Sequence, residues 1–151
     1  MPRKEVKGLV CGKFYPLHKG HDYLIRTAQK HCDHLTIMVV QQPGQQPPGK
    51  IRERWLKHAY PKARIILVDD IYKDGDHRVW AEFTAKTLGY APDIVFSSEK
   101  YGEPWSEAMG SKHMLVDPER QHVPVSASEI RRHPRANQEF MSPEVRAYYL
   151  G

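Results

Sequence analysis

The sequence predicts an α/β fold, a doubly wound parallel five-stranded sheet with helices on both faces. Three observations carry this expectation. Short β-rich apolar runs recur at residues 6–11, 35–40, 65–68, 94–96 and 114–116. Segments with helical periodicity or helix-capping residues lie between them, as parallel strands joined by crossover helices require. The chain of 151 residues, 40% of them hydrophobic, is long enough for one domain with its own core and short for two.

The elements follow in order. After the first run, Leu24, Ile25, Ala28 and Cys32 form an apolar stripe at helical spacing, with Arg26, Gln29 and Lys30 outside it. Residues 41–49 follow the second run, and their prolines and glycines suit neither helix nor central strand, so they read as a mobile surface loop serving as lid or connector. Residues 51–60 are helical in pattern and Pro61 stops them. Asp76 is an N-cap for a helix through Leu88, with Val79, Trp80 and Phe83 on one side and Gly89 as its stop. Pro104 and Gly110 bracket a shorter helix. Ser126-Ala127-Ser128-Glu129 has capping-box spacing, which places a helix start at Ser126 with Glu129 folding back. Ser142-Pro143 opens the last helix, and there is no internal repeat.

Lysine and arginine number 23 against 18 aspartates and glutamates, a net charge of +5 that favours anionic partners. The excess is spread along the chain, and only the pair Arg3-Lys4 hints at a basic run, so a nucleotide fits as well as a nucleic-acid polymer. Cys11 and Cys32 form no Cys-x-x-Cys pair, which argues against a disulfide framework or thiolate zinc site. His18 and His21 with Asp22, His31 and His34 match no standard zinc spacing, so no metal ligands are assigned. No apolar run approaches the length of a membrane span, and the N-terminus lacks the apolar core of a signal peptide. The expectation is a soluble, cytoplasmic protein with no membrane partner; a homo-oligomer is compatible with the sequence.

The most informative stretch is Gly12-Lys13-Phe14-Tyr15-Pro16-Leu17-His18-Lys19-Gly20-His21, at the junction of the first strand and first helix. Such a junction aims backbone N–H groups and the positive end of a helix dipole at one spot, a cradle for phosphate. Lys13, His18 and His21 add cationic or donor groups there. The plainer alternative is a turn histidine followed by a helix-capping histidine. Ser128 and Arg131 lie three apart on one helix face, able to aim a dipole and a guanidinium at phosphate, and the plainer alternative is an ordinary capped surface helix. Ser97-Ser98-Glu99 follows the fourth strand, at the edge where open α/β sheets bind ligands. By spacing alone Trp80 reads as core, and Arg52 and Arg54 as a solvated helix face.

Gly-Lys-Phe-x-Pro-x-His-x-Gly-His from Gly12 and Ser-x-Ser-x-x-Arg from Ser126 resemble the nucleotidylyltransferase superfamily, a group of Rossmann-like enzymes. Within it, the chain is most similar to the nicotinamide mononucleotide adenylyltransferase domain of NadR-type bifunctional proteins. That resemblance extends to Arg52 to Leu56, Val79-Trp80, Ser97 to Glu99, Val116-Asp117-Pro118 with Arg120, Ile130-Arg131 with Pro134, and Ser142 to Val145.

The resemblance implies a reaction in which ATP and nicotinamide mononucleotide give NAD and pyrophosphate, with magnesium (Mg2+) as cofactor. It implies a catalytic set of His18, His21, Lys13 and Arg131. Gly12, Phe14, His18, His21, Ser97, Ser126, Ser128 and Arg131 would lie on the ATP side. Lys13, Trp80, Arg52 and Glu99 would lie on the nicotinamide mononucleotide side, Trp80 stacking on the cationic ring. Asp117 or Arg120 would touch the adenosine half. Gly44 to Lys50 has phosphate-loop spacing, yet Ile51 replaces the required hydroxyl residue and Pro47-Pro48 remove two backbone donors, so no kinase domain is expected in residues 1–151. No helix-turn-helix segment is expected before Val6. The alternatives are a pantetheine-phosphate adenylyltransferase, whose family usually has threonine at the position of His18, and a non-catalytic nucleotide-binding module.

Overall fold

The computed structural model describes residues 3–70, 76–100 and 102–151. Strands β1 (Lys7–Gly12), β2 (His34–Gln41), β3 (Arg64–Asp69), β4 (Ile94–Ser97) and β5 (Lys112–Leu115) form one sheet in the order β3-β2-β1-β4-β5. Every pairing is parallel. Helices α1 (Lys19–Lys30), α2 (Gly49–Ala59), α3 (His77–Leu88) and α4 (Gly102–Ala108) make the crossovers, followed by α5 (Ala127–Arg132) and α6 (Pro143–Leu150). The arrangement is the expected Rossmann-like one.

Successive strand residues face opposite sides of the sheet, so Val10 and Leu9, both fully buried, belong to different cores. Val10, Ile37 and Val39 pack with Ile25 of α1, Leu56 of α2, Ile130 of α5 and Val145 of α6. On the other face Leu9, Met38 and Val95 pack with Trp80, Ala81 and Leu88 of α3 and Trp105 of α4. Each such aliphatic side chain contributes roughly 1.5–3 kcal/mol on full burial. Two-sided burial is also why the central strands read as continuous apolar runs.

The N-terminal edge of the sheet is closed by two aspartates. Asp33 accepts from the Val6 amide at 2.6 Å and pairs with Arg3, while Asp93 accepts from the Lys7 amide at 2.8 Å and pairs with Lys4. At the opposite edge β1 and β4 are neighbours whose following segments diverge to opposite faces. In open α/β sheets such a divergence is where ligand crevices form, which here is beside Gly12 and Ser97.

Helix α3 keeps its expected bounds: the Asp76 carboxylate accepts from the Arg78 and Val79 amides, and Gly89 ends the helix in the left-handed region at φ 89°. Other boundaries differ. Strand β5 begins at Lys112, two residues before the apolar run, because an edge strand tolerates polar residues. Helix α4 begins at Gly102, with Pro104 inside its first turn, where the missing N–H leaves no intrahelical bond unmade. Helix α2 begins at Gly49 rather than residue 51 and ends one residue before Tyr60. Ser126 caps α5 through the Glu129 amide; among the described residues the reciprocal Glu129 side-chain bond is not formed.

Candidate active site

The loop from β1 into α1 organises the site. Phe14 adopts φ 50°, which turns its ring inward; it is 1% exposed and meets the His21 ring edge-on at 4.9 Å. Phe14 can therefore offer a ligand its backbone but not its ring. Gly12 leaves room for this, since a Cβ there would lie 3.4 Å from the Phe14 ring.

The two histidines cap α1 and one another. His18 is the N-cap, its Nδ1 accepting from the Gly20 amide at 2.9 Å, while His21 Nδ1 accepts from the His18 amide at 3.2 Å. The rings stack with centroids 3.9 Å apart. Thus the capping role and the ligand role, alternatives in the sequence, are compatible in the structure. An Nδ1 that accepts cannot carry the proton, so each neutral ring holds its hydrogen on Nε2 and presents that N–H as a donor.

Burial, assisted by the charge of Arg120, lowers His18 to about 4. Burial, then His18 and Arg120, holds His21 well below the ordinary histidine range. The pair are neutral donors near pH 7 rather than cations. Gly20 is required by the first ring, because a Cβ would sit 2.7 Å from His18 Cε1.

Arg131 reaches the same loop from α5. Its Nη1 donates to the Tyr15 carbonyl at 2.5 Å, and its guanidinium carbon lies 4.5 Å from the Tyr15 ring centroid. Ser126 and Ser128 are linked Oγ to Oγ at 3.2 Å at the start of that helix. Lys13 is exposed at the end of β1. The structure therefore brings the two motifs of the sequence together.

At the end of β4, Ser97 Oγ donates to the Glu99 carbonyl at 2.9 Å and contacts His113 Nε2 at 2.6 Å. Glu99 is exposed. Gly102 packs on this pair, a Cβ there falling 2.6 Å from Ser97 Oγ.

Two residues expected at a ligand are buried in the structure. Arg52, far from being a solvated helix residue, is fully buried and donates to the carbonyls of Pro47, Lys13 and Val40 and to Gln45 Oε1. Its guanidinium is spent on shaping the loops around the site. Trp80 is 8% exposed and stacks on Phe83 at 5.4 Å within the α3 and α4 core, where apolar area favours it.

The segment after β2 is pinned rather than loose. Gln46 N donates to Tyr15 Oη at 2.9 Å, Gln42 Nε2 to Asp70 at 2.7 Å, and Tyr148 Oη to Gln46 Oε1 at 3.3 Å.

Sequence reasoning missed Tyr15, the Ser97 to His113 contact and the closeness of Arg120 to the histidines. Nothing in Phe14-Tyr15-Pro16-Leu17 sets Tyr15 apart from its apolar neighbours. For Arg120 there was a turn: Asp117, at φ 46°, accepts from the amides of Gln121, His122 and Val123. Burial opposes the Asp117 charge, but those amides more than offset it and hold its carboxyl below the ordinary range.

Among the described residues no group of three or more His, Cys, Asp or Glu is placed to hold a metal ion, and no helix is long and apolar enough to cross a membrane.

No family model matches the chain. It is 30% identical over 170 residues to the trifunctional NAD biosynthesis/regulator protein NadR of Escherichia coli K12, covering 98% of this chain and 42% of that protein. The Salmonella typhimurium NadR is 31% identical over 173 residues, again with 42% of its length covered. The chain thus spans less than half the length of these curated relatives. Among solved structures, NadR in complex with NAD and AMP-PNP superposes with a TM-score of 0.70 at 19% identity, covering 97% of this chain and 47% of that one. A putative nicotinate-nucleotide adenylyltransferase from Vibrio parahaemolyticus gives 0.67 at 14% identity, covering 98% of this chain and all of that one; these two likenesses concern the fold. Over nearly its whole length, the chain is homologous at low to moderate identity to NadR proteins.

Proposed function

We propose that the protein is a nicotinamide mononucleotide adenylyltransferase, forming NAD and pyrophosphate from ATP and nicotinamide mononucleotide. The observation that carries this reading is the paired histidine cap at the start of α1, which leaves two Nε2–H donors, with the Arg131 guanidinium held on the loop that leads into that helix. Homology to NadR proteins supplies the nucleotide chemistry.

The attacking group is a phosphate oxygen of nicotinamide mononucleotide, already ionised near pH 7, so no general base is required. A bond forms from that oxygen to the α-phosphorus of ATP. The bond from α-phosphorus to the bridging oxygen breaks, and pyrophosphate leaves with the electron pair. Catalysis then consists of positioning two anions in line and stabilising spreading charge.

His18 and His21 donate to ATP phosphate oxygens through Nε2. Lys13 neutralises the approaching phosphates, and Arg131 with Ser126 and Ser128 holds the departing pyrophosphate. The backbone of Gly12 and Phe14 and the Ser97 end of β4 border the nucleotide, with Glu99 toward the acceptor. Magnesium, when bound, would supply charge neutralisation for the nucleotide phosphates; the N–H donors of this site suit the phosphate oxygens rather than the ion.

The test is incubation with ATP, magnesium and a panel of acceptors, reading dinucleotide and pyrophosphate. NAD formation from nicotinamide mononucleotide supports the reading. Faster adenylylation of phosphopantetheine replaces it with pantetheine-phosphate adenylyltransferase, and ATP binding without pyrophosphate release replaces it with a non-catalytic module.

A further inference from the structure

We propose that Tyr15 is the positioning residue for Arg131, and that the segment between β2 and α2 is the brace that holds Tyr15. The inference rests on the role given above to Arg131 as the anchor of the departing pyrophosphate.

Arg131 is exposed on the six-residue helix α5 and would otherwise sample many rotamers. Two features of Tyr15 limit it: the carbonyl accepts Nη1 at 2.5 Å, and the ring lies 4.5 Å below the guanidinium carbon. The ring is itself fixed. Its hydroxyl accepts the Gln46 amide at 2.9 Å, and the guanidinium carbon of buried Arg52 stands 5.1 Å from its centroid. Arg52 also holds the Lys13 carbonyl and Gln45 Oε1, tying the two loops together. Tyr148 of α6 holds Gln46 from the other side.

The chain of contacts thus runs from α2 and α6 through residues 45 and 46 to Tyr15 and then to Arg131. A guanidinium already oriented over an aromatic face has less rotamer freedom to lose when it grips an anion. Because the carbonyl belongs to the backbone whatever side chain stands at residue 15, the side-chain contribution of Tyr15 is the ring and its anchor.

The experiment measures the affinity of the full chain for inorganic pyrophosphate by calorimetry, in the wild type, Tyr15→Leu, Tyr15→Phe, Arg131→Ala and the double variant Tyr15→Leu/Arg131→Ala. Tyr15→Leu keeps apolar volume without a π face and is expected to bind about fivefold more weakly, as loss of a cation–π contact at an exposed site implies. Tyr15→Phe restores affinity to within about threefold of the wild type, since its ring remains. In the Arg131→Ala background Tyr15→Leu should cost less than about threefold more, because both changes remove the same grip. Amide exchange at Gln46, slow in the wild type, should quicken in Tyr15→Phe, which reads the brace without any ligand.

Unchanged affinity in Tyr15→Leu, or a loss that adds fully to that of Arg131→Ala, overturns the proposal. So does an unprotected Gln46 amide in the wild type. Adenylyl transfer is followed in parallel. Pyrophosphate binding with the expected coupling but no transfer overturns the reaction and leaves the role of Tyr15 standing, whereas transfer indifferent to Tyr15→Leu does the reverse.

Discussion

Gly20→Ala should separate stability from activity. The added Cβ would lie 2.7 Å from His18 Cε1 and 2.9 Å from Nδ1, distances real Cβ contacts do not show, so the ring must leave its place over the helix start. Alanine inside a helix is favoured over glycine by about 1 kcal/mol. Losing the His18 cap on the Gly20 amide costs about 1 kcal/mol in the opposite direction. The two nearly cancel, and a residual of 1 kcal/mol shifts the melting temperature of a chain this size by only about 2–4 °C. Turnover responds differently. Displacing His18 also breaks its stack with His21, and removing one aimed donor lowers turnover by roughly a hundredfold to a thousandfold. Differential scanning calorimetry and pyrophosphate release on the same preparation make the comparison. A variant that melts like the wild type and turns over within about tenfold of it refutes the argument that the His18 ring position matters for the chemistry.

His18→Ala and His21→Ala should each stay folded and lose roughly a hundredfold or more in turnover, read by dinucleotide formation and circular dichroism; near-normal rates would return the pair to helix capping alone. Acid should weaken the fold between pH 6.5 and about 4, where the unfolded chain binds a proton that buried His18 does not. For His18 alone that loss amounts to up to about 3 kcal/mol, and His18→Gln should reduce the pH dependence of chemical denaturation across the window while His21 keeps its own share. Trp80→Ala should cost roughly 3–5 kcal/mol of stability because the ring sits in the α3 core. A selective rise in KM for nicotinamide mononucleotide without that destabilisation would instead identify Trp80 as a stacking platform.

What the sequence disclosed about this molecule was local. The Asp76 and Gly89 caps are made by residues adjacent to the ends they close, so α3 was legible to the residue. The central strands were legible because both their faces are buried, whereas β5 at the edge has only polar or half-buried residues at its start and shifted accordingly. The His18-Lys19-Gly20-His21 segment announced a helix start. That its rings would take the amides on Nδ1 and leave Nε2 free depends on ring orientations no spacing rule encodes. Arg52 was the hardest to place. Its carbonyl partners lie 5, 39 and 12 residues away in sequence, and the natural reading of an arginine in an amphipathic helix is solvent. Tyr15 and Arg131, 116 residues apart, meet only once the sheet is assembled.

The aspartates at the N-terminal edge divide the labour of the sheet. Asp33 and Asp93 stitch the entrance of β1 to the segments before β2 and β4, on the side away from the crevice. The residues assigned to phosphate or acceptor lie at or beyond the far ends of β1 and β4 or reach the β1 loop from α5. The seam and the mouth are therefore separate pieces of structure: a substitution at residues 98–100 leaves untouched the stitches that align the central strand.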